Sequence, residues 1–257
     1  MKALVLLCFC IALSLCISLS PSNVPEATYP GLFPLIVNEK KMFFINIQII
    51  IFIFLEWAHS HWVWLASSQA NQSSEIDLVN GYLERDVPVG AVDIDSEWTT
   101  GINNFIWDTN KYPDAKGMID YFHSIGVNVI CWVTSVIDTD SSNYDYGLQN
   151  HYYVNTSRFG GHVGKVNWWH GKGSFIDYTN PNAVAWWHSQ MDQVIDIGLD
   201  GWKCDGTDPY TFELYPMEGY GGHITEHQYA DSYYGDFFNY TRSKNPNVKF
   251  SLFVTTL

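Results

Sequence analysis

From His61 to Val254 short apolar runs alternate with amphipathic stretches, and this alternation restricts the fold more than any other feature of the chain. Trp62 to Leu65, Val87 to Asp95, Val127 to Thr134, the glycine-bounded run through Trp202 to Asp205, and Val248 to Val254 read as strands. Val127 to Thr134 is almost continuously apolar, as a strand covered on both faces must be. Between the strands lie helical patterns. Ser74 and Asp77 predict a capping box for a helix reaching Arg85, with Ile76, Val79 and Leu83 as its apolar stripe. Met118, Ile119, Phe122 and Ile125 share one side of a helix within Pro113 to Gly126. Asn180-Pro181 opens a third that ends at Gly198, and the fourth spans about Thr225 to Arg242. Strand and helix in this rhythm predict an α/β fold of right-handed parallel units. A doubly wound sheet and a β/α barrel both satisfy it. Polar residues at the carboxyl ends of strands (Asp93, Asp95, Thr134, Asp205) favour the barrel, whose chemistry gathers on that face. About five strands are predicted where a closed barrel has eight, so the expectation is a partial TIM (β/α)8 barrel over residues 61–257.

The stretch from Gly198 to Asp208 concentrates the chemistry. Strand alternation sets Gly201, Lys203 and Asp205 on one face and Trp202 and Cys204 on the other. A lysine and an aspartate two apart on an inward face are costly unless they pair. Paired, the lysine would hold the carboxylate ionised, as a nucleophile requires; a purely structural ion pair reads equally well. Asp93 and Asp95 share a face at the end of their own strand, and capping of the following loop is the competing role for Asp95.

The formal net charge of -14 lacks the clustered positive charge that nucleic acid or an anionic membrane surface demands. Aromatic residues reach 16%, with 11 Trp and 16 Tyr, more than a core alone calls for. Part of these serve a core, but aromatic faces beside carboxylates are also how proteins hold neutral sugar rings. Residues 1–20 carry Lys2, an apolar run from Ala3 to Ile17 and then small residues, the pattern of a secretory signal peptide. Residues 21–60 are expected to be poorly structured. Their apolar run 42–55 is shorter than a membrane-spanning helix needs, and an anchor is the less favoured reading. Only Cys131 and Cys204 lie outside the leader, too few for a disulfide framework. Sequons at Asn71, Asn155 and Asn239 agree with a secreted or lumenal glycoprotein.

Gly201-Trp202-Lys203-Cys204-Asp205-Gly206-Thr207-Asp208 resembles the nucleophile motif of glycoside hydrolase family 31, the α-glucosidase and α-xylosidase group. Val92-Asp93-Ile94-Asp95 with Trp98 resembles that family's earlier sugar-binding strand. Trp169-His170-Gly171, with Phe175-Ile176-Asp177-Tyr178-Thr179-Asn180-Pro181, is similar to its tryptophan–glycine and aspartate–aromatic signature. The resemblance runs in order from about residue 61 to the end. It implies that Asp205 is the nucleophile, that Asp93 bonds sugar hydroxyls, and that Ile94, Ile137 and Trp169 line the pocket of the cleaved sugar. It further implies substrate contacts for Lys203 and Asp208. Asp208 stands where the family usually has Glu, and the aromatic after Asp95 comes late, which leaves the sugar open. The resemblance implies no cofactor and no metal.

A retaining glycosidase uses two carboxyl groups about 5–5.5 Å apart. The resemblance brings the acid/base aspartate from a strand later than any predicted here, so the chain is expected to be an enzyme fragment, inactive alone. Asp177 and Asp208 are the nearest substitutes and poor ones. Two alternatives stand beside this reading: a non-catalytic carbohydrate-binding product, and an α-galactosidase of a related barrel family. His223-Ile224-Thr225-Glu226-His227 also matches a zinc-protease pattern, but polar residues at a loop and helix start explain it better.

Overall fold

The computed structural model describes residues 32–36, 42–46, 60–66, 68–156, 162–206, 214–244 and 251–255, with 32–36, 42–46 and 251–255 described as backbone only. The chain divides into two units, Met1–Phe54 and Leu55–Leu257. In the first, β1 (Leu32–Ile36) and β2 (Met42–Asn46) pair antiparallel. This stretch was expected to lack regular structure, and the apolar run that begins at Met42 opens as a strand. The predicted leader, 1–20, lies outside the described residues. No helix among the described residues is long and apolar enough to cross a membrane.

The second unit is organised by one sheet. Its strands are β3 (Trp62–Trp64), β4 (Ala91–Ile94), β5 (Asn128–Thr134), β11 (Gly201–Asp205) and β14 (Ser251–Thr255), side by side in chain order. Every pairing is parallel. A doubly wound sheet reverses its strand order at a switch point; a barrel wall does not. This order therefore resolves the sequence ambiguity in favour of a partial barrel. The connecting helices are α1 (Gln72–Leu83), α2 (Ala115–Ser124), α4 (Pro181–Ile195) and α5 (Glu226–Lys244), all within a turn or so of their predicted spans.

The cap of α1 differs from expectation. Asn71 is the N-cap, accepting from Ser74 N at 3.1 Å, while Ser74 Oγ accepts from Asn71 N at 2.9 Å. The reciprocal bonding that defines a capping box is present, but it sits three residues earlier than Ser74–Asp77 would place it. At α4 the prediction holds: Asn180 caps the first turn and Pro181 occupies it, where a missing N–H costs nothing.

Residues 135–174, rich in Gly, Asn, Tyr and Trp, read from the sequence as one long loop. Instead β6 (Val136–Asp138), β10 (Lys172–Phe175) and β9 (Val166–Asn167) form a small antiparallel sheet, and α3 (Tyr144–Gln149) lies within the segment. A second small sheet joins β7 (Asn155–Thr156) and β8 (His162–Val163) to the hairpin of β12 (Met217–Gly219) and β13 (Gly222–Ile224). Strands of two to four residues carry no readable periodicity, and their partners are distant in sequence. Asn103 fastens this insert to the barrel wall: its side-chain amide donates to Thr134 O at 2.5 Å and Val136 O at 2.8 Å. Gly173 permits the pairing of β10 with β6, since a Cβ there would collide with Ile137 O and Val136 Cγ1.

The core lies between the parallel sheet and its helices. Val92, Ile94, Cys131, Val133, Trp202 and Cys204 are all buried there. Trp202 meets Phe237 of α5 edge-on and donates from Nε1 to Thr241 Oγ1 at 2.9 Å. This confirms that Trp202 faces the helix layer, and by alternation turns Lys203 and Asp205 to the other side.

Candidate active site

Register fixes which side chains meet on that other face. Lys203 lies beside Trp132 of β5, Asp205 beside Thr134, and Trp64 of β3 beside Asp93 of β4. Lys203 Nζ is 2.8 Å from Asp95 Oδ2 and 3.2 Å from Asp93 Oδ2, and 5.2 Å from the centre of the Trp64 ring. The expected pairing of Lys203 with Asp205 is thus corrected: the ion pairs of the lysine among the described residues are with the two aspartates at the end of β4. Two residues apart along one strand, Lys203 and Asp205 project in parallel, whereas the ends of β4 and β11 bring Asp93 and Asp95 across the face. The capping alternative for Asp95 is real but partial, since Oδ1 accepts from Ser96 N at 2.6 Å while Oδ2 takes the lysine.

One donor to Asp205 comes from a residue that carried no such signal in the sequence. Trp132 Nε1 donates to Asp205 Oδ2 at 2.9 Å. Trp132 looked like one more apolar residue of a buried strand, and only its register with Lys203 reveals its direction. Gly206, with φ of 53°, turns the chain immediately after Asp205 in a conformation that favours glycine.

Asp93 is 6% exposed, and its Oδ1 is buried with no hydrogen-bond partner among the described residues. Burial pushes its pKa up to about 7 despite the opposing charge of Lys203; the charges of Asp95 and Asp205 push the same way. Burial pulls Lys203 down, but Asp93 and Asp95 outweigh it and hold the ammonium above its ordinary value. Asp205 is therefore electrostatically close to Asp93, and the structure gathers Asp93, Asp95, Lys203 and Asp205 into one cluster.

Trp169 stands at the edge of this cluster. It is 60% exposed, its ring 6.2 Å from that of Trp132 and nearly perpendicular to it. Asp138, at the end of β6, positions the loop that carries Trp169: Trp168 Nε1 donates to Oδ1 at 2.5 Å, and His170 Nδ1 lies 2.6 Å from Oδ2. Burial raises the pKa of Asp138 against the pull of those two bonds. Ile94 and Ile137 are both fully buried, and the pleat sets Ile94 on the opposite side of β4 from Asp93. Asp208 lies outside the described residues. Asp177 is engaged as a loop fastener, with Oδ1 accepting from Thr179 N and Oγ1 (2.9 and 2.6 Å) and Oδ2 from Tyr220 N at 2.6 Å. That leaves it no free oxygen for acid chemistry. His223 is on β13 and His227 is in the first turn of α5, so the two do not share a helix face; no metal-holding group of three side chains occurs among the described residues.

A carboxylate with an indole donor, a lysine bridging two further aspartates and exposed tryptophan surface, all at the carboxyl ends of parallel strands, is chemistry suited to a neutral polyhydroxylated ligand. Residues 53–249 match the family described as glycosyl hydrolases family 31, TIM-barrel domain. Among characterised proteins, α-xylosidase XylQ of Lactiplantibacillus pentosus is 27% identical over 153 residues, covering 58% of this chain and 20% of that protein. An α-xylosidase of Emericella nidulans is 24% identical over 192 residues, covering 71% and 23% respectively. The chain thus spans about a fifth of the length of these relatives. A Flavobacterium johnsoniae family 31 dextranase, solved with glucose, superposes over 77% of this chain and 25% of its own, with a TM-score of 0.68 at 20% identity. The match to family 31 sets aside the α-galactosidase alternative. With its parallel strands in sequential order and its matched domain covering residues 53–249, the chain belongs to glycosyl hydrolase family 31.

Proposed function

We propose that this chain contributes the nucleophile half of a retaining glycosidase site for α-linked sugars, with Asp205 as nucleophile. The observation that carries the reading is the presentation of Asp205 by Trp132 at the strand-end face, beside Asp93, Asp95 and Lys203. An indole N–H on Oδ2 fixes the carboxylate's orientation, and Asp93 with Lys203 offers an acceptor and a donor to sugar hydroxyls. Trp169 offers a ring face at the rim. Asp205 attacks the anomeric carbon, forming a C–O bond as the glycosidic C–O bond breaks. The departing oxygen keeps the electron pair of the broken bond and takes a proton from a second carboxyl group, expected from a strand following β14. Water then adds to the anomeric carbon, its proton passing to that second carboxylate, and Asp205 leaves ionised.

Relatives named α-xylosidase and α-glucosidase make xylosides and glucosides the first substrates to try. Incubation with an aryl α-xyloside or α-glucoside bearing a good leaving group lessens the need for the acid. Mass spectrometry should find a glycosyl adduct on Asp205 and none in Asp205→Asn. Sugar binding without an adduct would instead favour a carbohydrate-binding role. A secretory route is part of the same reading: it is supported by the leader pattern of residues 1–20 and by the exposed sequon residues Asn71 and Asn239, Asn155 being half-buried. Loss of mass on enzymatic deglycosylation of the expressed chain tests it.

A further inference from the structure

In the helix layer at the carboxyl end of β4 lies a carboxyl group that the proposed reaction does not use. Glu75, in the first turn of α1, is completely buried, and neither side-chain oxygen has a hydrogen-bond partner among the described residues. Its acidic neighbours are Asp93 of β4 and Asp95 just beyond it. The Cys131 thiol of β5 and the Tyr112 hydroxyl ahead of α2 also lie within reach of its charge. The ammonium that serves this region, Lys203, is committed to Asp93 and Asp95. An ionised Glu75 would be an unpaired buried anion facing two further carboxylates, for which proteins normally substitute the neutral acid. Its place in the first turn favours a negative charge through the helix dipole, but that effect is weaker than the cost of complete burial.

We propose that Glu75 is a positioning residue of the strand-end site: it carries a proton behind Asp93, so that the single charge of Lys203 is shared by two carboxylates rather than three. Burial, reinforced by Asp93 and Asp95, pushes its pKa up to about 8. Between the values of Asp93, about 7, and Glu75, about 8, Lys203 faces two carboxylates. Above the value of Glu75, its proton goes to solvent and a third carboxylate competes for the charge of Lys203, loosening its hold on Asp93 and Asp95. The consequence for sugar binding rests on the glycosidase reading; the location of the proton does not.

The test is carbon-13 NMR of the full chain labelled at glutamate and aspartate carboxyl carbons. One glutamate should titrate with a midpoint of about 8, far above the others, and vanish in Glu75→Gln. The Asp93 carboxyl, assigned through Asp93→Asn, should show two inflections in the wild type and one in Glu75→Gln. A wild-type spectrum in which every glutamate titrates in the ordinary range overturns the proposal, and needs no variant to fold. An Asp93 curve identical in wild type and Glu75→Gln overturns the positioning role. Xylose affinity should weaken above the midpoint by up to about tenfold per pH unit in wild type and stay level in Glu75→Gln. Absence of xylose binding in both would count against the sugar-site reading, while the carboxyl titrations still decide the role of Glu75.

Discussion

Trp132 Nε1 lies 2.9 Å from Asp205 Oδ2, so a residue from the middle strand of the sheet orients the carboxylate at the end of its neighbour. A hydrogen bond to a charged group contributes about 1.5–3 kcal/mol. Trp132→Phe keeps an aromatic ring and removes the donor. It should slow adduct formation on Asp205 by about tenfold or more, read by mass spectrometry against time, while changing the unfolding midpoint far less than removal of the ring in Trp132→Ala. Equal labelling rates in wild type and Trp132→Phe would deny the indole any part in presenting Asp205.

Lys203 serves two carboxylates, and its removal should be felt most where both are ionised. Lys203→Met leaves a buried carboxylate uncompensated, a change that typically costs about 3–5 kcal/mol. Because Asp93 already holds its proton up to about 7, the cost should be largest at pH 8 and should shrink at pH 5, where Asp93 is neutral. Urea unfolding at the two pH values measures the difference. A pH-independent loss would mean that Lys203 acts through packing alone, for instance against Trp64.

Glu75 makes stability depend on pH in a sense opposite to the usual carboxylate. Its folded pKa, about 8, lies above its ordinary value of 4.5, so between these the folded state binds more protons than the unfolded state and stability falls as pH rises. The loss from this group is complete above about 8 and amounts to on the order of 5 kcal/mol at most. Glu75→Gln should flatten the decline between pH 5 and 9 and be the more stable protein at the alkaline end. Chemical denaturation across that range checks it, and parallel curves for the two proteins would contradict it.

At the opposite end of the sheet, Asp200 Oδ2 accepts from Val129 N at 2.8 Å and lies 2.7 Å from His123 Nε2, tying the entry of β11 to β5 and α2. The bond to Asp200 raises the pKa of His123 against the effect of its partial burial. For a raised histidine the stabilisation is fully present below its ordinary value of 6.5 and is lost as pH rises through the folded value. Since His123 is more than a third exposed, Asp200→Asn should cost about 1 kcal/mol at pH 6 and less at pH 9. Equal unfolding midpoints for the two proteins at pH 6 would show that the ion pair adds nothing.

The parallel sheet was legible because each of its strands is a self-contained apolar run and each intervening helix has its own stripe and stop signal. Asn180-Pro181 and Gly198 bracketed α4 closely for that reason. The second small sheet was not, because β7 is two residues long and finds its partner in β12 across the intervening α4 and β11. Helix, strand and order are decided by neighbours in sequence; closure of short strands is decided by neighbours in space.

The same division runs through the site. Strand alternation alone put Lys203 and Asp205 on one face with Trp202 behind them, and the motif around Asp205 carried the family. Which charge pairs with which was beyond any local rule. Side chains two apart on a strand run parallel, and the partner of each is whatever the register of the adjoining strands brings across. Sequence thus determined the residues proposed to carry the chemistry, while the sheet's lateral register decided that Lys203 meets Asp93 and Asp95, that Asp205 meets Trp132, and that Glu75 is shut away beside them with no hydrogen-bond partner among the described residues.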